Sequence, residues 1–159
     1  MITIRKIRKA DNPILAKIIR ATFDEHGAPH EGTVYTDPTT DDLFTLFKKR
    51  GSILLVALEE NQLLGCCGIY PTNGLPENCV ELVKFYLKKE SRGKGIGKEL
   101  MERCLNAAAD MGYTLVYLES LPQFARAVSM YEKLGFSTLD HPMGDSGHRT
   151  CHIWMQKKL

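Results

Sequence analysis

Apolar and polar residues alternate from Ile2 to Ile7, the pattern of a half-buried strand. Asp11-Asn12-Pro13 follows, with Asp or Asn as helix cap and Pro early in the first turn. Ile14, Leu15, Ile18, Ile19 and Phe23 then form an apolar stripe. Residues 24–40 hold Gly27, Pro29, Gly32 and Pro38 and read as loop, after which Thr39-Thr40-Asp41-Asp42 caps a short second helix carrying Leu43, Phe44, Leu46 and Phe47. The run 52–58 is a buried strand, 59–62 a polar hairpin turn and 63–70 the returning strand. Turn residues fill 71–78, and Cys79 to Leu87 is a further strand. A basic, glycine-rich loop over 88–95 leads into a helix over 97–111, which Gly112 ends. Residues 114–119 read as a strand and 122–134 as a helix closed by Gly135. Segments 136–139 and 150–156 form a last antiparallel pair. The sum is one α/β domain over residues 1–159, with hairpins first and a strand-helix-strand-helix unit after them.

A chain of 159 residues with 43% hydrophobic and 25% charged residues can bury a core without a metal or disulfide staple. The net charge of +2 gives no reason to expect a nucleic-acid partner. No run approaches the ~20 apolar residues of a membrane span. Five cysteines, two of them adjacent at Cys66-Cys67, read as reduced thiols in a cytoplasmic protein. His26, His30, His141, His148, His152 and Cys151 lack the paired spacing of a zinc site, and no metal is expected.

The most informative segment is Lys88-Lys-Glu-Ser-Arg-Gly-Lys-Gly-Ile-Gly-Lys98. It follows a strand and opens a helix. Glycines at 93, 95 and 97 permit a tight turn whose N–H groups join the positive helix end at one point. That point suits a phosphate or diphosphate, and Lys88, Lys89, Arg92, Lys94 and Lys98 surround it with positive charge. The nucleotide P-loop fails, because Gly97-Lys98 is followed by Glu99. The dinucleotide fingerprint fails narrowly on glycine spacing, although Glu119 could imitate its ribose-binding acid.

Arg92-Gly-Lys-Gly-Ile-Gly97 matches Arg/Gln-x-x-Gly-x-Gly/Ala, and Ala127 to Phe136 matches Ala-x-x-x-Tyr-x-Lys-x-Gly-Phe. With both motifs in this order, the chain resembles the GCN5-related N-acetyltransferases. The resemblance is detailed over 79–137 and topological elsewhere. It implies the GNAT fold: a mixed, mostly antiparallel sheet of about seven strands flanked by about four helices, splayed between strands 79–87 and 114–119. It implies acetyl-coenzyme A as donor and the primary amine of a small molecule as acceptor, joined by direct attack in a ternary complex. N–H groups from Gly93 through Gly97, with Arg92, Lys94, Ile96 and Lys98 beside them, would hold the diphosphate. Phe85, Tyr86 and Leu87 would pair with the pantetheine arm like an added strand. One position departs from the family: Phe124 stands where an Asn often contacts that arm.

On the same resemblance Tyr131 is the acid that protonates the departing thiolate, the alternative being a core tyrosine. Glu81, eleven positions before Arg92, is the candidate base. Strict alternation would put it on one face with Val83, Phe85 and Leu87, where apolar neighbours would raise its pKa. The alternatives are a solvated or salt-bridged glutamate, with a water chain as base. Residues 21–47 hold Asp24, Glu25, Glu31, Asp37, Asp41 and Asp42 without Lys or Arg. An acidic wall there would attract a cationic amine. Tyr35, His148 or Arg149 could line the acceptor pocket. A protein N-acetyltransferase and a non-catalytic sensor of acetyl-coenzyme A are the rival functions. The resemblance also allows a homodimer, though no exposed stripe in the sequence marks its interface.

Overall fold

The computed structural model describes residues 1–159. Seven strands form one sheet: β1 (Ile2–Lys6), β2 (Ile53–Glu59), β3 (Gln62–Tyr70), β4 (Cys79–Leu87), β5 (Leu115–Ser120), β6 (Ser137–Leu139) and β7 (Ile153–Lys158). Their order is β1-β2-β3-β4-β5-β7-β6, and every pair is antiparallel except β4 with β5. Four α-helices flank it: α1 (Asn12–His26), α2 (Leu43–Leu46), α3 (Ile96–Asp110) and α4 (Ala125–Lys133). This is the expected α/β architecture.

Local chemistry accounts for the elements. Glu60 and Asn61 both take positive φ (49° and 66°), the two-residue hairpin turn that matches strand twist. Pro13 sits in the first turn of α1, where its missing N–H costs nothing. Asp11 does not cap that helix. Its carboxylate instead accepts from the Arg8 amide at 2.7 Å and pairs with Arg5 at 2.8 Å, tying the helix start to β1. Ile14 leaves the expected stripe and is 45% exposed. Leu15, Ile18, Ile19 and Phe23 carry the packing, at ~1.5–3 kcal/mol for each side chain removed from water.

The sheet separates two apolar clusters. On one face α3 and α4 pack through Leu100, Met101, Cys104 and Tyr131 against Val80, Leu82 and Val116. On the other, α1 and α2 pack through Leu15, Phe23 and Leu43 against Leu54, Val56 and Cys66. Cys66, Cys67, Cys79 and Cys104 are buried free thiols within these layers. No helix is long and apolar enough to cross a membrane.

Candidate active site

The sheet opens in its middle. β4 and β5 pair over only three rungs, Cys79 with Leu115, Val80 with Val116 and Glu81 with Tyr117. Beyond Glu81 the strands diverge, as the family resemblance implies for 79–87 and 114–119. A local feature of β4 accompanies the divergence. A bulge in β4 slips its register against β3 between the Cys66–Tyr86 and Gly68–Val83 pairs. At that bulge Lys84 takes φ +56°, a conformation unusual for a side-chain-bearing residue, and bulges bend and twist the strand that carries them.

The bulge corrects one expectation. Phe85 and Leu87 join the cluster on the α3 face, whereas Val83 and Tyr86 join the one on the α1 face. Glu81 therefore does not share a face with Phe85 and Leu87. One extra residue inverts the alternation downstream of it.

The cleft between β4 and β5 passes between the two layers. Its walls include Glu81 through Leu87, Thr22, Phe23 and His26 from α1, Leu121 and Phe124 before α4, and Arg126, Met130 and Tyr131 on α4. At one end lie Arg92, Gly93, Gly95, Gly97 and Lys98. Gly95 takes φ +81° at the head of α3, and the space where its Cβ would point is open. Gly97 is required for another reason. A Cβ there would sit 2.9 Å from Phe85 Cζ and 3.1 Å from Leu87 Cδ1, so α3 can approach β4 only through a glycine. The open loop, the helix end and the cations have the chemistry that suits an anion.

The expected cofactor residues divide in the structure. Phe85, Tyr86, Leu87, Arg92, Gly93, Gly95, Gly97, Lys98 and Phe124 all border the cleft. Lys94 is exposed outside its walls. The Ile96 side chain is buried in the α3 cluster, which leaves only its backbone to face a ligand. Arg92 has partners within the chain. It forks onto Glu25 of α1 and donates to the Leu87 carbonyl at 3.0 Å, bracing the loop against the helix. Phe124 packs edge-on against Phe23 at 5.2 Å and His26 at 5.4 Å.

Glu81 and Tyr131 both line the cleft, Tyr131 from the α3 and α4 layer. Glu81 is 4% exposed and accepts from the Thr72 hydroxyl. Burial pushes its carboxyl up to about 7; the Glu119 carboxylate adds to the rise, while Thr72 and Lys84 oppose it. Tyr131 packs edge-on against Phe85 at 6.2 Å and Phe136 at 6.0 Å. Burial holds its phenol well above the ordinary range, so it stays protonated. Its hydroxyl has no partner within the chain. No fully buried side-chain oxygen or nitrogen goes unpaired, so that hydroxyl opens to the cleft. Cys151 also lines the cleft, its thiol pushed up to about 12 mainly by burial.

The acidic wall expected over residues 24–42 is not free. Asp24 meets His30 at 2.8 Å, Asp37 meets His148 at 3.0 Å and Asp41 meets Arg20 at 2.6 Å. Glu25 holds Arg92, and Asp42 accepts from Asn12 at 2.8 Å and from the Thr45 amide. None of these carboxylates lines the cleft. The argument for a cationic acceptor therefore loses its basis. His148 does reach the cleft, but Tyr35 and Arg149 do not. Tyr35 stacks on His30 with ring centres 3.5 Å apart. Lys84, Arg126, Glu119 and Thr72 were not singled out for this site from the sequence. The His148–Asp37 contact joins two loops, and Thr150 strengthens the join by donating to the Gly32 and Glu31 carbonyls. No group of three His, Cys, Asp or Glu side chains is placed to hold a metal ion.

Residues 15–136 match the family model for acetyltransferases of the GNAT family. The chain belongs to the GNAT acetyltransferase family. It is 32% identical over 157 residues to the uncharacterized N-acetyltransferase YjgM of Escherichia coli (strain K12), covering 98% of this chain and 94% of that protein. Among solved structures it resembles an acetyltransferase of the GNAT family from Staphylococcus aureus Mu50, with TM-score 0.86, 18% identity and 99% of each chain covered. It also resembles the PaiA N-acetyltransferase of Thermoplasma acidophilum in complex with coenzyme A, with TM-score 0.78, 23% identity, and 100% of this chain and 99% of that one covered. These likenesses extend the GNAT fold over the termini that the family model leaves out.

Proposed function

We propose that this protein transfers an acetyl group from acetyl-coenzyme A to the primary amine of a small molecule. The observation that carries the reading is the cleft itself. Its unpaired β4 edge ends at the glycine loop of α3, so one extended ligand can run along the strand and finish at the anion site. The Thermoplasma relative was crystallised with coenzyme A.

The two titratable groups suit direct transfer. Glu81, titrating at about 7, takes a proton from the acceptor ammonium near neutrality. The amine nitrogen forms its bond to the thioester carbon and the carbon–sulfur bond breaks. Tyr131, held protonated, gives its proton to the departing sulfur. The second proton lost by the amine restores the phenol. A backbone N–H beside the β4 bulge would meet the carbonyl oxygen as charge develops there.

A small acceptor is favoured over a peptide by the joined loops. The Asp37–His148 and Thr150 contacts bridge residues 31–37 and 148–150, and the Ser146 hydroxyl donates to Glu119 at 2.6 Å. An extended peptide would need those contacts broken. The test is thiol release from acetyl-coenzyme A across small amines and lysine peptides, for the wild type and Tyr131→Phe. Turnover on small amines that collapses in the variant is expected. Turnover on peptides alone would overturn the small-molecule reading, and wild-type rates in the variant would remove Tyr131 from the acid role.

A further inference from the structure

The walls of the cleft away from the glycine loop hold an uncommitted cation. Lys84 is 7% exposed on β4. Its ammonium makes no hydrogen bond and no ion pair within 4.0 Å. Since no fully buried side-chain nitrogen is left unpaired, Lys84 Nζ must reach the cleft it lines. The neighbouring carboxylates already have donors. Asp37 takes His148 at 3.0 Å, the Thr39 amide at 2.9 Å and the Thr39 hydroxyl at 2.7 Å. Glu119 takes the Tyr117 hydroxyl at 2.7 Å and Ser146. Glu81 takes Thr72. Arg92, Lys98 and Arg126 belong to the glycine-loop end, near Gly93.

Two unfavourable features coincide at this residue. A side-chain-bearing residue is held at positive φ, and a residue only 7% exposed turns an ammonium with three donors into the cleft with no acceptor from the chain. The bulge adds an in-phase position on the Glu81 side of the strand, and the Asp37 and Glu81 carboxylates are the charges that act on the Lys84 ammonium. A ligand whose amine meets Glu81 thus keeps its next polar group within reach of Lys84. A carboxylate is the group that would satisfy those donors.

We propose that Lys84 is a specificity-determining residue that selects acceptors carrying a carboxylate beside the reacting amine, the class of free amino acids and their close derivatives. This rests on the acetyl-transfer reading above and narrows its substrate class. Burial lowers the Lys84 pKa, and a bound carboxylate would restore the charged form. Polyamines, which lack a carboxylate, would leave the ammonium unpaired and add a second cation beside it.

The experiment uses matched acceptors: each free amino acid, its carboxamide and the decarboxylated amine. Thiol release is followed for the full-length wild type, Lys84→Met and Lys84→Arg, with coenzyme A affinity and thermal melting as controls for folding. The expected result is a kcat/KM at least about 10-fold higher for the carboxylate than for its carboxamide, an interval of ~1.4 kcal/mol. That ratio should fall to within threefold of unity in Lys84→Met and be retained in Lys84→Arg. Equal rates on carboxylate and carboxamide in the wild type would overturn this proposal and leave acetyl transfer standing. A preference that survives in Lys84→Met would assign it to another residue. No transfer to any amine, with coenzyme A still bound, would overturn both readings.

Discussion

Glu81 offers a prediction in which the sign and size both come from its surroundings. Its carboxyl titrates at about 7 in the fold against an ordinary value of 4.5. The gap of about 2.5 pH units corresponds to about 3 kcal/mol. Because the folded value is raised, the benefit of keeping the group neutral is fully present below pH 4.5. It is lost as pH rises through 7, where the buried carboxylate must ionise. Glu81→Gln removes the charge but keeps an oxygen for Thr72. The variant should therefore gain on the wild type by about 3 kcal/mol between pH 4.5 and pH 8, or about 6–12 °C in Tm for a chain of this size. Urea or thermal unfolding at pH 5, 6, 7 and 8, without acetyl-coenzyme A, measures the difference. In parallel, the wild-type kcat/KM should rise with pH to an inflection near 7, and that inflection should vanish in Glu81→Gln. A stability difference flat within ~0.5 kcal/mol would refute the argument, because it would mean that Glu81 titrates as an ordinary carboxylate.

Tyr131→Phe keeps the ring contacts with Phe85 and Phe136, so kcat should fall about 100-fold or more while coenzyme A affinity changes little; turnover and calorimetry separate the two. Gly97→Ala places a methyl 2.9 Å from Phe85 and should lower stability by ~1–2 kcal/mol, overpacking outweighing the gain in helix propensity. The displaced Phe85 should also weaken acetyl-coenzyme A binding, seen by titration. Lys84→Met removes a largely buried cation with no partner in the chain and should raise stability by ~1–3 kcal/mol in the absence of acceptor, measured by urea unfolding.

Local signals were read well from the sequence. The run Cys79–Leu87 is β4 residue for residue, and the Glu60-Asn61 hairpin falls where polar residues interrupt two apolar strands. The glycine loop and the Ala127–Phe136 segment were legible because family motifs marked them. The failures concern contacts distant along the chain. The acidic residues of 24–42 resembled a free wall because the partners of several lie far along the chain: Arg20 is 21 residues from Asp41, Arg92 is 67 from Glu25 and His148 is 111 from Asp37. The β4 bulge sits at a lysine with no glycine to announce a positive φ, so alternation carried past it placed Phe85 and Leu87 on the wrong face. For the same reason nothing in the sequence singles out Lys84. Its importance comes from an absent partner, which only three-dimensional packing reveals.

The central claim is that the β4–β5 cleft and the loop of α3 bind acetyl-coenzyme A. Calorimetric titration of acetyl-coenzyme A into the wild type and Gly95→Asp tests it most directly. Aspartate tolerates the positive φ at this position, and the open space beyond it accepts the side chain, so the fold should persist, as a melting curve would confirm. The new carboxylate stands where the diphosphate would lie. Saturable one-site binding to the wild type that disappears in Gly95→Asp is the predicted result. No binding to the wild type, or undiminished binding to a folded Gly95→Asp, would contradict the account.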